Sequence, residues 1–210
     1  ADNGIAAQKY GQVSSKVLET YLNYDNEVAG NMMNLTAGYS WQENNYEGFG
    51  ARAKQFVTDN YSFNNLDGGG LAELGDKYSY RGQSRLISFF GRANYDIAGK
   101  YLLTATVRQD GSSKFGADNK WGVFPSAAVA WRLSEEAFVP EMFTDLKLRA
   151  GWGVVGNEAI GEYQSIARIG TGSAAVIGGS STSGTGYLNP ANSALRWEST
   201  ASTNLGIDWE

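Results

Sequence analysis

Along residues 86–97 the odd positions Ile87, Phe89, Gly91, Ala93, Tyr95 and Ile97 are apolar or small, while the even ones include Ser88, Arg92, Asn94 and Asp96. After Ala98-Gly99-Lys100 the alternation resumes, with Tyr101, Leu103, Ala105 and Val107 on one parity and Leu102, Thr104, Thr106, Arg108 and Asp110 on the other. A strand points successive side chains to opposite faces, so this pattern predicts two strands, each with an apolar and a polar side, joined by a tight turn. The same alternation sets Met33, Leu35, Ala37, Tyr39 and Trp41 against Met32, Asn34, Thr36, Gly38 and Ser40. It returns in Leu146, Leu148, Ala150 and Trp152, in Thr203, Leu205, Ile207 and Trp209, and more weakly in Leu18, Thr20, Leu22 and Tyr24.

Seven strands are predicted, near 17–25, 31–44, 84–97, 100–110, 121–133, 145–155 and 199–210. Short connections follow the first and third. A moderate one, 134–144, follows the fifth and carries Glu135, Glu136, Phe138 and Phe143 around Pro140, a composition that suggests a helical turn. Long Gly-, Asn- and Ser-rich loops follow the second (45–83), fourth (111–120) and sixth (156–198). Short turns on one side and long loops on the other are the pattern of a transmembrane antiparallel β-barrel wall. Pro125 lies inside the fifth strand, where it cannot donate a ladder hydrogen bond, so a bulge is expected there, or a strand regular only beyond it.

A soluble β-sandwich, such as a lectin or adhesin module, also hides one face of each strand. The aromatic residues separate the two readings. Tyr24, Tyr95, Tyr101, Trp131 and Trp209 sit on the apolar parity next to short turns or at the matching strand end; Tyr39, Trp41, Trp121 and Trp152 sit on it next to long loops. Two belts of amphipathic rings around a Leu, Ile, Val and Ala band match the two boundaries of a bilayer. Outer-membrane lipid is then the surroundings of the apolar face. On the polar face Phe90 and Phe124 are large and apolar for a lumen, and are expected to pack against something inside the barrel.

Seven is an odd count, bacterial single-chain barrels have even ones, and an open wall leaves two bare edges in lipid. Residues 1–210 are therefore expected to be an internal part of one larger barrel domain, with its signal peptide lying elsewhere. Composition is compatible: 42% hydrophobic and 13% aromatic residues, 27 Gly and a mean hydropathy of −0.36. No apolar run approaches the ~18 residues of a membrane helix. A net charge of −5 and a pI near 4.9 argue against a nucleic-acid surface.

With no His and no Cys, Ser-His-Asp and Cys-His catalysis and the usual zinc sites are excluded from this segment. Gly151-Trp152-Gly153-Val154-Val155-Gly156 has the letters of a dinucleotide fingerprint, but a loop follows and the acid expected ~20 residues later is missing. Glu135 and Glu136 are adjacent, so they do not flank one glycosidic bond and are read as a solvated turn. Asp59, Asp67, Asp110 and Asp118 lack calcium-loop spacing and are read as solvated loop acids. The expectation is of no enzyme, cofactor or metal.

Three groups of residues carry a family resemblance. The first comprises Asp110-Gly111-Ser112-Ser113-Lys114-Phe115-Gly116, Asn119-Lys120-Trp121-Gly122-Val123-Phe124-Pro125-Ser126, Trp131-Arg132-Leu133-Ser134 and Phe138. The second is Leu146-Lys147-Leu148-Arg149-Ala150-Gly151-Trp152-Gly153 closing on Gly156-Asn157. The third is Asn189-Pro190, Leu195-Arg196-Trp197-Glu198 and Asn204-Leu205-Gly206-Ile207-Asp208. In order and spacing they resemble the central barrel of SusC/RagA-type TonB-dependent transporters, well over 80–210 and loosely over 17–60. The departures are a longer spacer, Ala191 to Ala194, and Val155 where Thr is common.

The resemblance implies a plugged barrel of about 22 strands in a bacterial outer membrane. It also implies import powered by TonB, a SusD-like surface lipoprotein as lid, and oligosaccharide or oligopeptide substrates. The other transport reading is a siderophore or cobalamin receptor of the same barrel type. On the inward parity Arg92, Arg108, Arg132, Lys147 and Arg149 gather on four consecutive strands; they are read either as separate wet lumen residues or as a basic patch facing the plug. The loops hold Tyr46, Phe49, Tyr61, Phe63, Tyr78, Tyr80, Tyr163 and Tyr187, whose rings suit sugars, peptides or a lid protein, and 170–186 is expected to be mobile.

Overall fold

A computed structural model describes residues 4–73, 75–140, 142 and 144–210, the side chains of 172–174, 181 and 183 excepted. Ten strands account for most of it: β1 Ile5–Val28, β2 Asn31–Phe56, β3 Gly69–Leu71, β4 Lys77–Ile97, β5 Tyr101–Ser112, β6 Trp121–Arg132, β7 Leu146–Asn157, β8 Arg168–Ile177, β9 Ser180–Asn189 and β10 Glu198–Trp209. Three short 3-10 turns complete the elements. One sheet runs β1-β2-β4-β5-β6-β7-β10 with β3 beside β2, while β8 and β9 form a separate sheet. The path ends at β1 and β10 without closing on itself, as expected for a partial barrel wall.

All seven expected strands are present. The chain clusters into two units, one of Val17–Gln42, Arg85–Ile160 and Ser193–Glu210, the other of Ala1–Lys16, Glu43–Ser84 and Gly161–Asn192. In the first of these, β4 and β5 pair antiparallel with Ala93 opposite Ala105 and Tyr95 opposite Leu103. Ala105 in turn faces Ala127 on β6, and Val129 faces Ala150 on β7. The apolar parity is therefore continuous across four strands. Both short turns carry positive φ at two successive residues, Ala29 (52°) with Gly30 (79°) and Ala98 (54°) with Gly99 (69°). That primed-turn backbone matches the twist of the flanking strands.

Two aromatic clusters lie on this face. Near the long-loop ends Tyr39 meets Phe89 at 5.3 Å between ring centroids, and Phe89 stacks on Trp121 at 6.2 Å. Near the short turns Tyr101 stacks on Trp131 at 6.0 Å, and Phe138 meets Trp131 edge-on at 6.4 Å. From Tyr101 to Gly111, which pairs with Trp121, is ten residues of β5. At ~3.4 Å per residue and a tilt of ~45° that spans roughly 24 Å, the height of an outer-membrane apolar band.

A sandwich is ruled out by its missing core. Among the described residues the buried hydrophobics are Ala53, Phe115 and Phe124. The surface is 14424 Å², against roughly 9,500 Å² for a globular monomer of 22.7 kDa. Leu103, Val107, Leu148, Ile207 and Trp209 stand open on one side of a single sheet, the surface of a wall whose solvent is lipid.

Several expectations need correction. The 45–83 loop is largely strand, because β2 runs to Phe56, β4 starts at Lys77 and β3 pairs Leu71 with Lys54. The 156–198 loop contains the β8–β9 hairpin, turning at Gly178 and Gly179, both at positive φ; 170–186, expected to be mobile, lies within it. β1 extends to Ile5, since residues 5–16 are exposed on almost every position and so carry no alternation to read. At Pro125 the register with β5 is unbroken, Val107 opposite Pro125 and Arg108 opposite Phe124. No bulge forms and β6 is regular from Trp121 against β5, contrary to both alternatives; only its pairing with β7 waits until Ser126 opposite Gly153, beyond the proline. The 134–144 connection begins with a 3-10 turn, Leu133–Glu135; Phe143 lies outside the described residues.

Candidate functional site

The polar face of the unit containing Arg85–Ile160 is ordered by side-chain hydrogen bonds that cross strands. Asn34 Nδ2 donates to Asp25 Oδ1 at 2.6 Å, Asn94 Nδ2 to Asn34 Oδ1 at 3.1 Å, and Thr104 Oγ1 to Asn94 Oδ1 at 2.9 Å. This ladder joins β1, β2, β4 and β5. Such bonds are stiff only where each acceptor is filled, and here an amide or carboxylate is available at every step.

The five expected cations all lie on this face, and four are tied within the wall to acids or to carbonyl oxygen. Arg108 Nε is 2.8 Å from Asp110 Oδ1, its Nη2 donates to the buried Ser88 Oγ at 2.7 Å, and its guanidinium lies 5.9 Å from the Phe90 ring centroid. Arg149 grips Asp208 with two parallel bonds of 2.8 and 2.7 Å, the fork geometry that favours arginine over lysine. Lys147 lies 3.7 Å from Asp145 and 3.8 Å from Asp208. Arg132 Nη1 donates to the Gly99 carbonyl at 3.0 Å, clamping the β4–β5 turn. Arg92 Nε donates to Thr106 Oγ1 at 3.3 Å, a contact to a hydroxyl and not to an acid or carbonyl.

Phe90 and Phe124 find their partners in the wall itself. A Cβ built on Gly38 would lie 2.3, 2.6 and 2.9 Å from three atoms of the Phe90 ring. One built on Gly156 would lie 2.1, 2.4 and 2.7 Å from the Phe124 ring. Near-equal distances to adjacent ring atoms mean that the glycine meets the face of the ring. Each ring therefore lies over a residue that has no side chain to exclude it, a pairing that shields a strand glycine.

Around Phe124 the motif residues assemble. Trp197 sits 5.3 Å from Phe124 and 5.1 Å from Phe115, and its Nε1 donates to the Lys120 carbonyl at 2.9 Å. Phe115 is 2% exposed. Lys114 Nζ lies 3.5 Å from Glu158, Ser113 Oγ accepts from the Arg85 amide at 2.8 Å, and Asn157 Nδ2 donates to Glu198 at 3.1 Å. The three separate motifs are thus one apolar clasp, whose chemistry is structural. Sequence reasoning found the motif residues without their mutual contact.

Glu136, expected as a solvated turn residue, accepts from Lys100 Nζ (2.9 Å), Tyr101 OH (2.9 Å) and Trp131 Nε1 (3.1 Å). These three donors, Lys100 foremost, hold its carboxyl below the usual glutamate range. It fastens the aromatic belt to the turn. Asp110, also read as a solvated loop acid, is a buried strand residue paired with Arg108.

In the unit containing Glu43–Ser84, tyrosines repeat the ring-over-glycine arrangement. Tyr46 covers Gly82, Tyr80 covers Gly48 and Tyr78 covers Gly50, each with ring atoms 2.0–2.7 Å from the built Cβ position. Tyr46 OH donates to Glu162 at 2.9 Å, and Tyr46 and Tyr80 are 6.2 Å apart between centroids. Beyond Tyr78, Arg52 pairs with the buried Asp76, whose carboxyl is held low first by a backbone hydrogen bond from Glu73 and then by Arg52. Tyr163, at φ +61°, accepts a hydrogen bond from the Gln83 amide at 3.1 Å. The sequence placed these tyrosines in long loops. The glycines two residues apart, Gly48 and Gly50, were the signal that strands with covered faces continue there.

An open, two-faced antiparallel wall, with a lipid-height apolar band and a hydrogen-bonded polar side, defines the class as an outer-membrane-type β-barrel. The family model "TonB dependent receptor-like, beta-barrel" matches residues 2–210, and the chain belongs to this family. TonB-dependent receptor P3 of Formosa agariphila is 37% identical over 207 residues, which cover 98% of this chain and 20% of the relative. TonB-dependent receptor SusC of Bacteroides thetaiotaomicron is 38% identical over 143 residues, 66% of this chain and 14% of the relative. The RagAB peptide importer in its closed-closed state superposes with a TM-score of 0.83 at 22% identity, covering 97% of this chain and 22% of that one, a likeness of fold. The resemblance read from the three motifs therefore holds, and the chain spans about a fifth of the length of such relatives. Members of this family are outer-membrane β-barrel transporters and not enzymes.

Proposed function

We propose that the whole protein is a TonB-energised importer of oligosaccharides or oligopeptides that works with a SusD-like surface lipoprotein. Residues 1–210 form part of its barrel domain, with the plug and the TonB-contacting segment elsewhere in the chain. The observation that carries the reading is the two-sided wall. An apolar band with aromatic belts suits lipid, and a hydrogen-bonded polar face suits a lumen filled by protein and water. Its likeness to SusC supports the SusD-like partner.

The inward cations Arg92, Arg108, Arg132, Lys147 and Arg149 face the plug in this reading. Four of them are held by wall groups, so Arg92, with its single long bond, has the most charge left to offer a plug carboxylate. The test is growth on the cognate polymer with pull-down of the lipoprotein. Deleting 170–186 should remove most of the β8–β9 hairpin, leave β7 and β10 paired, and impair uptake or lid docking. Normal uptake of every tested glycan and peptide by cells lacking the protein, together with no lipoprotein bound, refutes the importer.

A further inference from the structure

We propose that Tyr46, Tyr80 and Tyr78 form a stacking platform for a neutral oligosaccharide. The inference rests on the importer reading and gives it a substrate class and a binding surface. The argument starts from the glycines. A side chain at Gly82, Gly48 or Gly50 would collide with the tyrosine ring crossing it, so each ring is held against backbone on one face. Two of the rings stay open to solvent, Tyr80 at 48% exposed and Tyr78 at 44%, while Tyr46 is half-buried beside them. An exposed tyrosine with no such seat samples several rotamers and loses that freedom on binding, whereas a ring laid on glycine is already ordered.

The three rings follow one line. Tyr78 and Tyr80 are two residues apart on β4, hence on one face about 7 Å apart. Tyr46 reaches across from β2 to the next step, over Gly82, 6.2 Å from Tyr80. At one end Glu162 bonds the Tyr46 hydroxyl, and at the other the half-exposed Arg52 stands beside Asp76.

Open ring faces, phenol hydroxyls, and a carboxylate and guanidinium at the ends are the chemistry that recognises pyranose rings. C–H faces stack on the aromatics while hydroxyls bond the rim. An extended peptide would instead be held by free main-chain groups along a strand edge and pockets for alternate side chains. The surface presents ring faces, the Arg52 guanidinium at one end is already paired with Asp76, and Glu162 at the other accepts from the Tyr46 hydroxyl, so no free cation is offered to a charged ligand.

The experiment uses the full-length protein in lipid nanodiscs and calorimetric titration with linear hexasaccharides of glucose, xylose and mannose, and with a neutral hexapeptide. At least one saccharide should bind. Tyr78→Leu and Tyr80→Leu should each weaken it by about tenfold or more, while Tyr78→Phe and Tyr80→Phe, which keep the ring, should stay within about twofold. Heat-modifiable migration reports whether each barrel is folded. If a Leu variant does not fold, Tyr80→Trp supplies the readout, its emission changing on addition of the bound saccharide and not of the peptide. The proposal is overturned if no saccharide binds, if the peptide alone binds, if the folded Leu variants bind as the parent does, or if the emission of the Tyr80→Trp variant does not respond. Loss of the platform with nutrient uptake intact in the Leu variants leaves the importer standing; normal uptake in cells lacking the protein removes it.

Discussion

Ala105 is the place where the membrane assignment is most exposed to refutation. It lies near the middle of β5, flanked on the apolar face by Ala93 and Ala127, with the Tyr101–Trp131 belt four residues toward the short turn and Trp121 opposite Gly111 six residues the other way. Four residues of a strand tilted ~45° correspond to roughly 10 Å of depth, which puts Ala105 close to the midplane of a ~25 Å band. Arginine there must hold its charge near the bilayer centre, at a cost of about 2–4 kcal/mol. In water the same change on an open sheet surface stays within about 0.5 kcal/mol. Thr104 is the control, one residue away on the polar face. Thr104→Arg loses the bond to Asn94 Oδ1, about 1 kcal/mol, and its charge meets a hydrated surface. Urea unfolding of the full-length protein in lipid vesicles should show Ala105→Arg destabilised by about 1 kcal/mol or more beyond Thr104→Arg, a difference of about fivefold or more in the equilibrium constant. Equal effects, or the larger loss at Thr104, would refute the assignment of Ala105 to lipid.

Ala98 holds φ 54°, a conformation that costs a β-carbon about 1–2 kcal/mol; with about 0.5–1 kcal/mol returned to the unfolded chain, Ala98→Gly should stabilise by up to about 1 kcal/mol in the same titration. Gly156→Ala places a Cβ 2.1 Å from the Phe124 ring and should cost about 1–3 kcal/mol by overpacking, visible as lower urea resistance with altered tryptophan fluorescence from the clasp. The Glu136 carboxyl is held low in the folded state, chiefly by Lys100, so its stabilisation is present above the ordinary glutamate range and is lost as pH falls through the lowered folded value. Acid titration of tryptophan fluorescence should therefore show a transition below about pH 4.5, one that Glu136→Gln abolishes; an unchanged transition in that variant would assign it elsewhere.

The alternation of apolar and polar residues determined which side chains share a face of each strand, because that relation follows from backbone geometry within a few residues. It was enough to set seven strands, the Ala98-Gly99 turn, the two aromatic belts and the polar parity of Arg92, Arg108, Arg132, Lys147 and Arg149. It failed where neither parity of a strand is consistently apolar. Residues 5–16, 45–56 and 77–83 have no apolar side to mark them, and the small residues of β8 and β9 hide a hairpin that only the Gly178-Gly179 pair betrays. Lateral neighbours were decided by tertiary structure alone. Arg149 is 59 residues from Asp208, Trp197 is remote from Phe115 and Phe124, and the tyrosines reach their glycines only through the pairing of β2 with β4. Each of those contacts depends on which strands pair and in what register, and a period of two residues carries that information for one strand at a time.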